Sequence, residues 1–337
     1  MIRSYGETNP GKKRRRNEDA FVCEPPLFAV ADGMGGAQAG EVASSLAAAS
    51  VSDGLGNFDR VPARDAEKVV VGLIRDANRL VHQRATHDAA ASGMGTTMTV
   101  ALVSGDNTVT IGHVGDSRAY LLRNGTLEQL TDDHSLVAEL VRRGELSPTE
   151  AEVHPQRSVI TRALGTEPDV EIDVFSIEAR DGDVFLLCSD GLSTMVDADT
   201  IAGILDRNRD ELPAATRALI KAANESGGDD NITAVLFVMD GAEVETPAGR
   251  DPEERSSEED TLHPGDAVPA VAVPSAGPPA SVADGDTTVV PAEAIRAAID
   301  AAPARRPLPL LRLFVATLVI IALAAMIIVL AVWGLAR

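Results

Sequence analysis

Residues 27–33 read Leu27-Phe28-Ala29-Val30-Ala31-Asp32-Gly33: five apolar side chains in succession, then a carboxylate and a turn residue. So short an apolar run, closed by Asp-Gly, reads as a strand over 27–31 that is buried on both faces. The arrangement recurs. Residues 184–191 (VFLLCSDG) carry a second buried strand, 184–188, to Asp190, and residues 108–118 (TVTIGHVGDSR) carry an alternating strand, 108–114, to Asp116. Residues 229–239 (DDNITAVLFVM) run the other way, with Asp230 just ahead of a strand over 232–239. Two more strands read at 98–103 and 119–122. Gly-containing turns at 104–107 and 123–125 join neighbours as hairpins, so the sheets are expected to be mainly antiparallel.

Asp-Gly alone means a turn, and the chain also has it at Asp53, Asp181, Asp240 and Asp284. Asp32, Asp116, Asp190 and Asp230 differ in standing at strand ends. In an antiparallel sheet the exit of one strand lies beside the entry of its neighbour, so three exits and one entry can meet at one edge. Asn17-Glu18-Asp19, just ahead of the apolar residues 20–23, can join them. Two carboxylates 4 Å apart repel by about 4 kcal/mol at an effective dielectric near 20. Such a group persists only by raising its pKa values or by binding cations. All-oxygen donors select a hard ion, Mg²⁺ or Mn²⁺, with Ca²⁺ also admissible. The histidines are scattered without a pairing motif, which argues against zinc. Two hard ions about 3.5–4 Å apart would activate water against a phosphoryl group.

Helices are expected at 38–50, 62–84 and 135–143. The second places Val69, Leu73, Ala77, Leu80 and Arg84 at spacings of three and four, an apolar stripe with a polar end. The chain has 337 residues, 45% hydrophobic and 24% charged, enough for a sizeable core. Its 51 acidic against 30 basic residues leave a net charge of −21, which argues against a nucleic-acid partner. Cys23 and Cys188 lie in apolar runs and read as buried small hydrophobes, not as a disulfide framework. Residues 1–10 are polar and hold no leader-like apolar stretch.

Composition divides the chain into three parts. Residues 1–240 are expected to form one globular unit. Residues 241–309 are rich in Pro, Ala, Gly and acids, and cannot bury enough apolar surface to offset their conformational entropy. A disordered linker is expected there, with a short helix at 289–302. Residues 313–335 (LFVATLVIIALAAMIIVLAVWGL) carry no charge and only Thr317 as a clearly polar side chain. That run is longer than the ~20 residues that cross hydrocarbon as a helix. Arg305, Arg306 and Arg312 precede it and only Arg337 follows, which orients everything upstream to the cytoplasm. The expected localisation is the membrane, through a single-pass C-terminal anchor with Trp333 at its far interface.

At this point the chain resembles a known family, the metal-dependent protein Ser/Thr phosphatases (PPM, or type 2C), in its bacterial membrane-tethered form. The matching strings are Arg14-x-x-Asn17-Glu18-Asp19, Ala31-Asp32-Gly33-Met34-Gly35-Gly36, Gly93-Met94-Gly95-Thr96-Thr97, Gly115-Asp116-Ser117-Arg118, Asp133-His134-Ser135, Cys188-Ser189-Asp190-Gly191 and Asp230-Asn231-Ile232-Thr233. They come in family order over about residues 3–240. The resemblance implies an α+β fold, a four-layer α-β-β-α sandwich of two mainly antiparallel sheets with a dinuclear site at one edge. It implies Asp32 as the carboxylate bridging both metals, the Gly33 carbonyl as a ligand of one, and Asp190 and Asp230 as ligands of the other. Glu18 and Asp19 would hold metal-bound waters, Asp116 with Asp190 would make a third metal position, and Arg14 would grip the substrate phosphate.

Register singles out Arg14 within the basic run Lys12–Arg16, whose other members can steer a phosphorylated substrate or touch anionic lipid. Register likewise favours Asp230 over Asp229. Met34 departs from animal members, which have a His there, so leaving-group protonation must come from elsewhere. His113 reads as a strand residue and His134 as a structural residue at a helix start. The Gly33–Gly36 loop lacks the spacing of a dinucleotide fingerprint. Residues 142–165 resemble the mobile flap beside the site. The implied activity is hydrolysis of phosphoserine and phosphothreonine with two or three Mn²⁺ or Mg²⁺ ions. The implied partners are phosphorylated proteins, membrane Ser/Thr kinases and their substrates among them. Two rivals share the fold: a phosphatase of a partner-switching regulator, and an inert phosphoprotein-binding pseudophosphatase. The presence of Asp32, Asp190 and Asp230 argues against the second.

Overall fold

Twelve strands and seven α-helices follow one another along the described part of residues 2–239, with a further strand downstream. In the computed structural model the described residues are 2–35, 39–55, 61–239 and 288–289. The strands are β1 (Ile2–Asn9), β2 (Asp19–Glu24), β3 (Leu27–Met34), β4 (Gly95–Thr96), β5 (Met98–Val103), β6 (Thr108–Val114), β7 (Arg118–Arg123), β8 (Thr126–Gln129), β9 (Val159–Ile160), β10 (Asp173–Glu178), β11 (Val184–Cys188), β12 (Ile232–Met239) and β13 (Thr288–Val289). The helices are α1 (Ala39–Leu55), α2 (Ala63–His87), α3 (Leu136–Arg142), α4 (Pro148–Glu152), α5 (Asp190–Ser193), α6 (Ala198–Arg207) and α7 (Leu212–Glu225).

One sheet has the order β1-β12-β11-β7-β8; the other runs β10-β6-β5-β3-β2, with β4 pairing β3. Every ladder within these two sheets is antiparallel. Alternation along the strands separates three apolar layers. Phe28, Val30, Ala101 and Ile111 meet Leu121, Phe185, Leu187, Val235 and Phe237 between the sheets. Their neighbours Ala29, Ala31, Val100 and Leu102 pack outward on α1 and α2. Leu122, Leu186, Cys188, Leu236 and Val238 pack outward beneath α6 and α7. The result is the expected α-β-β-α sandwich. Its centre is a ring stack: Phe237 lies 4.2 Å from Phe28 of the facing sheet and 4.8 Å from Phe185 beside it. Each such ring contributes about 1.5–3 kcal/mol by burial.

The expected strands are present, with β3 running on through Asp32 and Gly33. The expected helices are present as α1, α2 and α3. On α2 the buried face is Ala66, Val70, Leu73, Ile74, Ala77, Asn78 and Val81, and Leu80 is exposed. Leu73 and Ala77 of the expected stripe are buried and Val69 is half-buried, whereas Leu80 is exposed, so the stripe is corrected toward Val70, Ile74 and Val81. Both sets satisfy three-and-four spacing, and β6 decides between them. A Cβ at Gly112 would stand 2.3 Å from Val70 Cγ1, so the bare backbone there receives Val70 and Ile74. Cys188 is buried as expected, whereas Cys23 is only half-buried, on the outer strand β2. Strands β1, β2, β4, β8, β9, β10 and β13 and helices α4–α7 are additional to the expected set. Among the described residues no helix is long and apolar enough to cross a membrane. The expected linker at 241–309, its helix at 289–302 and the apolar run 313–335 lie outside the described residues, save for β13.

Candidate active site

Asp32 owes its position to a backbone that is held from both sides. Its N–H donates to Thr97 Oγ1 at 2.9 Å, while its carbonyl accepts the Thr97 N–H and the Thr96 hydroxyl. Gly33 then turns against two other segments. Its N–H donates to the Glu18 carbonyl at 3.1 Å, and a Cβ there would fall 2.1 Å from the Gly40 carbonyl oxygen. No other residue fits. Across the ladder, Asp19 is the register partner of Asp32.

Asp190 is the first residue of α5, immediately after β11, and Asp230 stands two residues before β12. A Cβ at Gly191 would lie 2.1 Å from the Asn231 carbonyl oxygen, so glycine lets these two segments touch. Asp116 follows β6 through Gly115, whose φ of +113° favours glycine. The acids thus come from both sheets: Asp19, Asp32 and Asp116 from one, Asp190 and Asp230 from the other. The edge expected from strand order is an end of the whole sandwich, not the edge of one sheet. Asp19 Oδ2 ties the sheets together there, accepting from Ser189 Oγ at 2.8 Å and Thr233 Oγ1 at 2.6 Å.

Burial and mutual repulsion raise Asp19, Asp32, Asp116 and Asp190. Desolvation, then Asp190 and Asp230, push Asp19 up to about 7. Desolvation and Asp230 push Asp190 up to about 6. Asp32 is raised well above the usual range by desolvation and by Asp19, Asp190, Asp230 and Asp116. Asp116 is raised by desolvation, Asp190 and Asp133. Asp230 is neutralised differently: Arg14 Nη2 donates to its Oδ2 at 2.8 Å. Asp229 instead pairs with Lys13 Nζ at 2.7 Å.

The donor set is entirely oxygen. Asp19 Oδ1 and Asp190 Oδ1 are buried with no hydrogen-bond partner, the state of an acceptor suited to a hard cation. Among the described residues no three His, Cys, Asp or Glu side chains close round one point at ligand distance. The acids stand as neighbours, with the Arg14 guanidinium on Asp230. Glu18 is fixed through its backbone: its N–H donates to Asn231 Oδ1, and its carbonyl accepts Ser44 Oγ and the Gly33 N–H.

The motifs at 115–118 and 133–135 prove to be partners, a relationship that strand patterning does not reveal. Arg118 forks onto both carboxylate oxygens of Asp133, at 2.9 and 2.7 Å. The Gly115 N–H donates to His134 Nδ1, and the His134 N–H returns to the Gly115 carbonyl. Together they fix the turn that presents Asp116. His113 donates or accepts between Thr99 Oγ1 and the Asp132 carbonyl inside the sheet. Both histidines are buried and hydrogen-bonded within the fold. Met34 is buried against Ile160 and Ala163, with no proton to offer the site. The segment 142–165 contains α4 and β9, and β9 is joined to the start of α3 by a bridge between Ser135 and Ile160.

The family model described as protein phosphatase 2C matches residues 12–237. The chain belongs to the protein phosphatase 2C family. The serine/threonine phosphatase stp of Listeria welshimeri is 42% identical over 235 residues, covering 68% of this chain and 92% of that protein. The serine/threonine protein phosphatase PstP of Mycobacterium tuberculosis is 41% identical over 236 residues, covering 70% of this chain and 45% of that protein. The crystal structure of Mycobacterium tuberculosis PstP superposes with a TM-score of 0.66 at 40% identity, over 71% of this chain and 99% of that one. The PstP catalytic domain in complex with two manganese ions gives 0.65 at 37% identity, over 71% and 99%. In this phosphatase 2C chain, the matched span takes in every site residue from Arg14 to Asp230.

Proposed function

We propose that residues 1–240 are the catalytic domain of a protein serine/threonine phosphatase that hydrolyses phosphoserine and phosphothreonine with Mn²⁺ or Mg²⁺. The observation that carries this reading is the buried carboxylate group around Asp32 with Arg14 seated on Asp230. Asp32, the Gly33 carbonyl, Asp190 and Asp230 would hold two ions, Glu18 and Asp19 would orient their waters, and Asp116 with Asp190 would hold a third. Bound there, such ions supply Lewis acidity, lowering the pKa of water and offsetting charge on a phosphoryl group in transfer.

The chain's own residues do the rest. Arg14 offers a planar fork of donors to the equatorial phosphate oxygens, a geometry that Lys cannot reproduce. Its pairing with Asp230 keeps that fork at the mouth of the acidic group. Among the described residues, neither Cys188 nor the buried histidines are placed to act as a covalent nucleophile. Cys188 is buried and its thiol is pushed up to about 12, while His113 and His134 are buried with both ring nitrogens held in hydrogen bonds. Water is therefore the attacking group, and the reaction passes through no phosphoenzyme. Met34 contributes only packing, so the proton for the leaving alkoxide comes from solvent held in the site.

The anchor and the substrates belong to the same reading. Residues 313–335 would cross a bilayer once, supported by their apolar length and by Arg305, Arg306 and Arg312 ahead of them. Residues 241–309 would tether the catalytic domain on the cytoplasmic face. Its substrates would then be phosphoproteins near that face, including membrane Ser/Thr kinases and their targets. The first test is phosphate release from a phosphothreonine peptide by the full chain in Mn²⁺ or EDTA, beside Asp32→Asn. Metal-dependent turnover that the substitution abolishes supports the hydrolase. A folded, metal-saturated protein without turnover refutes it. Retention in the membrane fraction after alkaline extraction, lost on truncation after residue 309, tests the anchor.

A further inference from the structure

Arg14 sits on a loop, residues 10–18, that belongs to neither β1 nor β2. Such a loop has to be shaped from outside, because it has no ladder of its own. One buried side chain does most of that work. Asn231, only 4% exposed, donates its two amide protons to the carbonyls of Pro10 (3.1 Å) and Arg16 (2.8 Å). Its Oδ1 accepts the Glu18 N–H at 2.8 Å. A single carboxamide therefore holds the beginning, the far side and the end of the segment that carries Arg14. The neighbouring turn adds a second hold: the Gly228 carbonyl accepts the N–H groups of Lys12 and Lys13, at 2.7 and 3.2 Å. Gly11 completes the fit, since a Cβ there would stand 2.1 Å from the Asp230 carbonyl oxygen.

We infer that Asn231 is a positioning residue, whose carboxamide clamps the 10–18 loop so that the Arg14 guanidinium stands over Asp230 where a substrate phosphate is bound. This rests on the phosphatase reading and on Arg14 as its phosphate grip. The chemistry of the clamp is specific. Only Asn presents two donors and an acceptor at this length; Asp keeps the shape and the acceptor but loses both donations. In Asn231→Asp the Glu18 N–H keeps its partner while the Pro10 and Arg16 carbonyls lose theirs and face a carboxylate. The damage falls on the Arg14 half of the loop. Because the substitution also adds charge beside Asp230, Asn231→Ala serves as the uncharged counterpart. A displaced guanidinium weakens the grip on a phosphate without removing any group that touches it.

The experiment is a double-mutant cycle on the full chain, with a phosphothreonine peptide and Mn²⁺. The variants are Asn231→Asp, Asn231→Ala, Arg14→Ala and the two doubles, each also assayed for product inhibition by inorganic phosphate. Each Asn231 variant is expected to lose about 10- to 100-fold in kcat/KM, with phosphate inhibition weakened in step. In the Arg14→Ala background the same substitutions are expected to cost no more than about twofold, because the group they position is gone. Amide exchange supplies a readout that does not need turnover: residues 11–18 are expected to lose protection in Asn231→Asp while β5 and β12 keep theirs. Equal losses in both backgrounds would overturn the inference. So would an Arg14→Ala that retains full activity while the Asn231 variants do not. Unchanged exchange in 11–18 would overturn the clamp itself. A parent chain with no metal-dependent turnover would instead overturn the phosphatase reading, and the exchange result would still decide whether Asn231 holds the loop.

Discussion

Asp19, at the start of β2, is the direct antiparallel partner of Asp32, near the end of β3. Like charges opposed across a ladder destabilise a sheet, and burial enlarges the cost. Burial and neighbouring carboxylates raise both groups, Asp19 to about 7. The sandwich therefore carries at its end a group of acids that weakens the fold and would bind cations for the same electrostatic reason.

Stability and activity should consequently part company in Asp32→Asn. In EDTA the variant is expected to melt no lower than the parent, because one member of a mutually repelling buried carboxylate group has become a neutral amide. Mn²⁺ at 100 times its dissociation constant should stabilise the parent by about 2.7 kcal/mol. For a domain of this size that corresponds to a rise of roughly 5–11 °C in Tm. The variant should show a smaller rise and a kcat/KM lower by about 10²- to 10³-fold. Calorimetric scans with and without metal check this, and a full metal shift in Asp32→Asn would contradict it.

Arg14 gives a second expectation. Arg14→Ala should lower kcat/KM by about 10²-fold, and Arg14→Lys should recover little of it, because an ammonium cannot fork onto two oxygens. Steady-state kinetics on one phosphopeptide decide the matter. Full recovery by Lys would reduce the role of Arg14 to charge alone.

Acid should unfold the protein through its buried histidines. His113 and His134 lie 4.7 Å apart, and burial lowers each from 6.5 to about 4. His113 faces His134, Asp133 and Asp173; His134 faces Asp173, Arg162 and Arg142. Between pH 6.5 and about 4 the unfolded chain takes up protons that the native state refuses. Stability is thus complete above that window and falls as pH falls through it, at up to about 1.4 kcal/mol per unit for each histidine. Urea midpoints at several pH values measure the slope. His134→Asn should start less stable but decline less steeply; an unchanged slope would contradict the assignment.

Arg118 and Asp133 join the two motifs that present Asp116, with side chains 26% and 18% exposed. Removing one partner should cost about 3 kcal/mol, the lower end for breaking a buried pair because this one keeps some solvent. Replacing both with apolar residues should cost less than either single change. Denaturant titration of Arg118→Met, Asp133→Leu and the double variant tests this. Equal or greater loss in the double variant would show that the pair's hydrogen bonds, rather than an orphaned charge, set the cost.

The sheet content was legible because each core strand is an apolar run closed by turn chemistry, as in residues 27–33 and 184–191. The acids were legible because they stand at those strand ends. Strand β1 was not legible: all of Ile2–Asn9 is half-buried, and its side chains are mostly polar, so it lacks a hydrophobic signature. The face of α2 was not legible either, since Val69 and Val70 satisfy the helical period equally well. Only the bare backbone at Gly112 chooses between them. Nor does anything local single out Asn231, whose three partners lie more than 200 residues away in the chain.

By itself, then, the sequence determined where strands end, which carboxylates stand there and that their donor chemistry is oxygen, because these follow from side-chain type and spacing along the chain. Only the tertiary structure decided that the acids come from two sheets, that Asp230 and not Asp229 faces Arg14, and that Asn231 holds the loop between them. Those outcomes depend on how two sheets stack and on which backbone atoms come within hydrogen-bond reach, and no local pattern encodes contacts between segments so far apart.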